Sequence, residues 1–262
     1  MNCHKPPRIL AIAGSDSSGG AGIQADIKTI TMLGGYAMTA ITALTAQNTT
    51  GVTRVDPVDP AMVAAQIDAC VSDIGVDAVK IGMLGSAAVA EVVAERLAAL
   101  AVPIVFDPVM VATSGAALAD PATIAAFEML MRLATLTTPN VAELAALGGD
   151  DAMTARGIAY LAKGGDAPGE QVEDRLHRPG HAPLRFTAPR IATRHTHGTG
   201  CTLSSAIATQ LGKGMALDMA IRDAREFVRA ALLAAPGFGA GSGPLGHHAV
   251  RKLSLETNTS SS

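Results

Sequence analysis

Arg8-Ile9-Leu10-Ala11-Ile12-Ala13-Gly14-Ser15-Asp16 is a short apolar run that stops at a glycine, and it decides how the rest is read. An unbroken apolar run suits a strand buried on both faces, as in a parallel sheet. A Gly-rich loop follows to Gly22, and Ile23 to Leu33 carries helical spacing that ends at Gly34-Gly35. The same unit then recurs. Strands are expected at Ala37 to Thr45, Val76 to Ile81, Pro103 to Phe106 and Thr135 to Thr138. Helices are expected at Pro60 to Ile74, Ser86 to Leu100, Thr123 to Leu133 and Val141 to Leu147. This alternation predicts an α/β fold, a mostly parallel sheet with helices on both faces.

Ligands in such sheets bind beyond the carboxyl ends of the strands. Gly14-Ser15-Asp16, Gln47-Asn48, Gly82-Met83, Asp107-Pro108 and Pro139-Asn140 all fall there, which predicts one shared cleft. Gly164 to Pro189 is polar and rich in Gly and Pro, the pattern of a hairpin or loop excursion. Glu256 to Ser262 reads as a frayed polar tail. No internal repeat or interdomain linker interrupts the chain, so residues 1–262 are expected to form a single domain with flexible ends at 1–7 and 255–262.

Hydrophobic residues make up 48% of the 262 and charged residues 16%, enough to build a sizeable core and to exclude global disorder. A net charge of −3 gives no footing for nucleic acid. Cys3, Cys70 and Cys201 are an odd, widely spaced set with no zinc pattern, which suits a reducing compartment. No secretory signal and no apolar stretch of membrane-spanning length is evident, so the expected location is the cytoplasm.

His197-Gly198-Thr199-Gly200-Cys201-Thr202 leads into a helical run ending near Gly212 and Gly214. Glycines before a helix let unpaired N–H groups converge at the positive end of its dipole, where an anion can be held. A cysteine there is expected to have its thiolate favoured. A Gly-rich turn followed by a buried thiol fits the same spacing equally well.

Set beside Gly14-Ser15-Asp16-Ser17-Ser18-Gly19-Gly20-Ala21-Gly22-Ile23-Gln24-Ala25-Asp26, this segment resembles a known family. Ile41 to Thr49, Lys80 to Gly85, Asp107 to Met110, Thr138 to Leu144, Lys163 to Gly165 and Gly241 to Pro244 extend the likeness in order. The chain is similar to the hydroxymethylpyrimidine/phosphomethylpyrimidine kinases of thiamin biosynthesis, within the ribokinase-like superfamily. The resemblance implies a three-layer fold, a homodimer, and transfer of the γ-phosphate of ATP with Mg²⁺ to a hydroxymethyl group. It also implies a second transfer that converts the monophosphate to the pyrophosphate.

Residue by residue, the resemblance makes Gly198, Thr199 and Gly200 the cradle of the transferring phosphoryl group and Cys201 the catalytic base. Asp107 and Glu143 become the metal carboxylates, and Asn140, Lys163 and Thr196 the nucleotide-binding set. Gln47 is matched to the aminopyrimidine, since an amide offers both donor and acceptor. Asp26 is expected to face the substrate hydroxyl, Gly14 and Ala21 to leave room for the ring, and Met83 and Val109 to give apolar contact. Alone, Asp107 reads as a turn former, Glu143 as a first-turn helix acid and Met83 as core.

Two departures stand out. The interval from Asn140 to Lys163 is about a dozen residues shorter than the family's, and Ala152 to Leu161 merges a helix end with a strand. His195 stands where an asparagine is common. Three other readings compete: a pyridoxal or pyridoxine kinase, a non-catalytic pyrimidine-binding protein, and a cysteine hydrolase built on Cys201. The absence of G-x-x-x-x-G-K-[ST] excludes a P-loop kinase, and the lack of a proper G-x-G-x-x-G in the Gly14 to Gly22 loop speaks against a dinucleotide fold.

Overall fold

The computed structural model describes residues 5–112, 115 and 118–250. Cys3 and the tail from Glu256 to Ser262 lie outside the described residues.

The first unit is β1 (Arg8–Asp16) followed by α1 (Gly22–Met32). Side chains of β1 alternate between two cores, Leu10 and Ile12 on one face, Ile9 and Ala11 on the other. Next come β2 (Tyr36–Asn48), β3 (Gly51–Pro57), α2 (Pro60–Ala69), β4 (Ala78–Ile81) and α3 (Ala87–Leu97). They are followed by β5 (Ile104–Phe106), α4 (Pro121–Leu133), β6 (Leu136–Thr137), α5 (Val141–Ala146), α6 (Gly149–Ala155) and β7 (Tyr160–Ala162). The hairpin β8 (Gln171–His177) and β9 (Leu184–Pro189) precedes α7 (Thr199–Gly212) and α8 (Leu217–Leu233).

All strands join one sheet in the order β3-β2-β1-β4-β5-β6-β7-β8-β9. The six strands from β2 to β7 run parallel, and β3, β8 and β9 add antiparallel edges. One core packs Val63, Val93, Leu97 and Phe127 of α2, α3 and α4 on the sheet, with Phe106 and Phe127 edge to face at 5.1 Å. Each fully buried side chain of this kind contributes about 1.5–3 kcal/mol. The other core joins Ile30 of α1 to Ile207 of α7 and Ile221 of α8. The result is the expected three-layer α/β fold, a mostly parallel sheet with helices on both faces.

Local chemistry sets the helix starts. Asp59, Ser86 and Asp120 accept from backbone N–H groups of α2, α3 and α4, and Pro60 and Pro121 occupy first-turn positions. Several expectations change. The helix from Pro60 ends at Ala69 and continues as a π turn, closed by Gly75 N–H on Cys70 O at 3.0 Å. Strand β3 was not legible, because Thr53, Arg54 and Asp56 on an exposed edge carry no apolar alternation. Helix α7 begins at Thr199, three residues ahead of the expected Thr202, so Gly198 caps it and Gly200 lies in its first turn. The shortened interval still holds α5, α6 and β7, each brief, and β7 delivers Lys163 at its end.

Candidate active site

A cavity of about 600 Å³ opens at the carboxyl ends of the parallel strands. Gly14, Ala21, Gln47, Met83 and Val109 line one part, and Asn140, Glu143, Lys163 and Thr196 another. Asp107 and the run Gly198, Thr199, Gly200 and Cys201 lie on the same wall. Of the residues expected in the site, only Asp26 is missing.

Asp26 is fully buried below the cavity, where both its oxygens accept from Lys80 Nζ at 2.8 Å and one accepts from Ser205 Oγ at 2.6 Å. The expectation that it faces the substrate hydroxyl is therefore corrected. One turn into α1, helical geometry turns its side chain toward the sheet and the buried Lys80 instead.

Two Gly-rich loops meet in the cavity wall. Gly198, at φ 88°, forms the N-cap of α7, and a Cβ there would lie 1.9 Å from Gly20 O. Only glycine permits this approach. Thr199 N–H bonds to Thr196 O at 3.2 Å and Thr202 N–H to Gly198 O at 2.9 Å. Gly200 and Cys201 therefore bring N–H groups that have no acceptor within the helix. The Asp16 carboxylate organises the opposite loop, accepting from Ser18, Gly20 and Ala21 N–H, and it meets His197 Nε2 at 2.8 Å. These bonds hold the carboxyl below the ordinary range although burial alone would raise it. His197 N–H is held by Gly243 O at 3.1 Å, which ties the C-terminal Gly-rich segment to the loop.

Cys201 does not follow the sequence expectation. Burial pushes its thiol up to about 11, outweighing the nearby Lys80 charge and the Gly22 N–H, which both act to lower it. A helix start alone does not favour a thiolate once the sulfur is desolvated.

Lys163 Nζ lies 2.7 Å from Asp107 Oδ1 and 3.9 Å from Glu143 Oε2. Thr138 Oγ1 also donates to Asp107 at 3.0 Å. Glu143 and Asn140 form a reciprocal capping box at the start of α5, with both bonds at 2.8 Å. The helix-acid reading and the site reading therefore hold together. Burial raises the Glu143 carboxyl to about 7 against the pull of Lys163.

On the other side, Thr45 Oγ1 donates to Gln47 Oε1 at 3.2 Å, leaving the amide nitrogen toward His197. The space left by Gly14 is filled from within, since a Cβ there would lie 2.4 Å from the Met83 methyl. Sequence reading assigned no role to Asp16, although it stands in a quoted motif, and gave His197 only that of orienting the adjoining loop. It missed Asp174 and Arg225 altogether, a buried ion pair at the far end of the cavity whose Asp174 Oδ1 accepts from Gly164 N–H at 2.8 Å. Nothing in the sequence relates two residues on β8 and α8.

Comparison with known proteins decides the family. The family model for phosphomethylpyrimidine kinase matches residues 16–246. The chain belongs to the phosphomethylpyrimidine kinase family. It is 48% identical over 255 residues to the hydroxymethylpyrimidine/phosphomethylpyrimidine kinase of Rhizobium meliloti, covering 91% of this chain and 96% of that one. It is 46% identical to the thiamine biosynthesis bifunctional protein ThiED of Geobacter sulfurreducens, over 91% of this chain and 52% of that one. Among solved structures, an ADP complex of Bacillus subtilis pyridoxal kinase matches with a TM-score of 0.84 at 34% identity, covering 94% of this chain and 98% of that one. The chain is thus a phosphotransferase that uses ATP, and its kinase function lies in thiamin biosynthesis.

Proposed function

We propose that this single kinase domain phosphorylates 4-amino-5-hydroxymethyl-2-methylpyrimidine and then its monophosphate, with Cys201, Gly198, Thr199 and Gly200 as the catalytic set. The observation that carries the reading is the convergence of the Gln47 side and the Lys163 side on one loop, Gly198 to Cys201. The Gln47 amide would bind the ring nitrogen and exocyclic amine, with Met83 and Val109 against the ring and Gly14 and Ala21 framing it. Asn140, Lys163 and Thr196 would hold the nucleotide.

The acceptor oxygen forms a bond to the γ-phosphorus, the bond to the β-phosphate oxygen breaks, and ADP leaves. The hydroxyl proton passes to Cys201 in its thiolate form. Because the thiol stands at about 11, this step makes turnover climb with pH above neutrality. Charge on the transferring group is met by the Gly200 and Cys201 N–H groups.

Asp107 and Glu143 are hard oxygen donors reached by one ammonium, a set suited to Mg²⁺, which takes one or two carboxylates with substrate phosphates. Among the described residues no cluster of three or more His, Cys, Asp or Glu side chains could hold a metal without such help. Bound there, Mg²⁺ would neutralise phosphate charge.

The hairpin of β2 and β3 leaves Leu44 and Val55 exposed, which supports a homodimer as its cover. Among the described residues no helix is long and apolar enough to cross a membrane, and Cys70 and Cys201 are free. These features support the cytoplasm as the location.

The test is ADP release from Mg-ATP with the pyrimidine, its monophosphate and pyridoxal, in wild type and Cys201→Ala. Turnover of both pyrimidines, with the alkaline rise lost and kcat down about 100-fold in the variant, is expected. Preference for pyridoxal would overturn the substrate, and an unchanged variant would overturn the role of the thiol.

A further inference from the structure

Two parallel helices start at the site, and one turn below their starts lies a sealed ion pair that the reaction does not use. At the upper level the two helix starts meet: a Cβ on Gly198, the N-cap of α7, would lie 3.2 Å from the Cα of Ala21, the N-cap of α1, and the Gly22 N–H acts on the Cys201 thiol. Asp26 stands four residues after Gly22, and Ser205 four residues after Cys201. Residues at that spacing share one helix face. At this lower level Ser205 Oγ donates to Asp26 Oδ1 at 2.6 Å, and Lys80 Nζ from β4 donates to both Asp26 oxygens at 2.8 Å. All three residues have no exposed surface.

We propose that Lys80, Asp26 and Ser205 form a positioning clamp that sets the start of α1 against the start of α7 and so fixes the phosphoryl cradle. The clamp rests on the reading of Gly198 to Cys201 as that cradle.

A sealed ion pair is a poor device for stability, since apolar side chains of the same size commonly serve as well or better. It is a good device for register, because an ammonium facing two oxygens admits one arrangement where apolar packing admits several. Register matters here because both Gly-rich loops hang from these helix starts. Gly22 itself has φ 56°, and a Cβ there would lie 2.3 Å from Gly14 O, so the start of α1 has no slack toward β1. Lys80 also closes the clamp from the sheet side. A Cβ on Gly82, two residues on, would lie 2.7 Å from its Nζ, which places the ammonium directly under the turn that leads to Met83. Burial alone would lower the lysine, but the Asp26 charge outweighs it, and Lys80 titrates above its ordinary range. Burial in turn pushes the Asp26 carboxyl up, against the pull of Lys80 and Ser205, so the pair is held by its bonds and not by burial.

The test compares the charge-free pair Lys80→Met/Asp26→Leu with Ser205→Ala, neither of which touches the cavity lining. Three quantities are read: thermal midpoint, kcat against KM for the pyrimidine, and the pH midpoint for alkylation of Cys201 by iodoacetamide. In the double variant kcat should fall about 100-fold, the cost of roughly 1 Å of misplacement, while KM for the pyrimidine stays within about twofold. Its alkylation midpoint should move to higher pH, because Lys80 lowers the thiol more than Asp26 raises it. Ser205→Ala should fold whatever the double variant does, and should lose about tenfold in kcat. A folded variant with wild-type kcat and an unmoved alkylation midpoint overturns the clamp. Should wild type itself fail to phosphorylate either pyrimidine, the kinase reading falls, and the alkylation midpoint still decides whether the clamp sets Cys201.

Discussion

Two lysine–aspartate pairs flank the start of α7, alike in chemistry and opposite in setting. Lys80 and Asp26 are both 0% exposed and make their bonds to each other and to Ser205. Lys163 is 12% exposed, Asp107 is 2% exposed, and both line the cavity. The sealed pair has every partner it needs inside the fold. The open pair shares its ammonium with Glu143 and faces the space where phosphate and metal would lie. An ion pair closed on itself can only position; one that opens on a cavity can exchange partners with a ligand.

The sharpest way to break this contrast is Lys163→Met. It should lower kcat/KM for ATP about 100-fold or more, in line with loss of a preorganised charge in a dry site. It also leaves Asp107 without its ammonium, so added Mg²⁺ should raise the Tm of the variant more than that of wild type. Equal Mg²⁺ responses would remove Asp107 from metal binding.

Glu143→Gln sharpens the open side with a smaller effect. Glutamine suits the same capping box, so α5 should persist. A carboxyl raised to about 7 is half protonated near neutrality, and only its ionised form can bind metal. Wild-type kcat/KM for Mg-ATP should therefore fall as pH drops through 7, and the variant should be about tenfold weaker at pH 8 with that slope lost. Stability runs the other way. A raised folded value stabilises at low pH, and the gain is lost as pH rises through about 7. The variant should thus gain about 2–4 °C over wild type at pH 8 and little at pH 5. A flat wild-type profile would show that Glu143 stays ionised throughout.

His247→Gln tests a second sealed group near α7 and should have the smallest effect. His247 Nε2 meets Thr202 Oγ1 at 2.8 Å, and burial lowers its value to about 4. Its stability contribution is present above the unfolded value near 6.5 and lost as pH falls toward 4. The variant should lose about 1 kcal/mol at pH 7 and converge on wild type at pH 5 by thermal melts. A constant gap would show that the folded imidazole takes up its proton as readily as the unfolded one.

Much of the site was legible before any fold was seen. Gln47 lies at the end of a parallel strand and Asp107, Asn140 and Lys163 each follow one, and strand ends in such sheets gather at one edge. The exposed edge strand β3, with its polar Thr53, Arg54 and Asp56, offered no apolar period to detect. Helix α8 escaped notice as well, although Ala220, Ile221, Ala224 and Phe227 follow helical spacing.

By itself, the sequence determined the layered fold and the strand ends that meet at the cavity, because apolar period and glycine placement act locally along the chain. Tertiary structure alone decided partnership and charge. Asp26 lies beside quoted motif residues, yet its direction was set by Lys80, 54 residues away, and Ser205, 179 away. Cys201 sits where a helix start favours a thiolate, yet burial among α1, β4 and α7 reverses that preference. Desolvation and ion pairing depend on what the folded chain brings from elsewhere, and no local pattern records it.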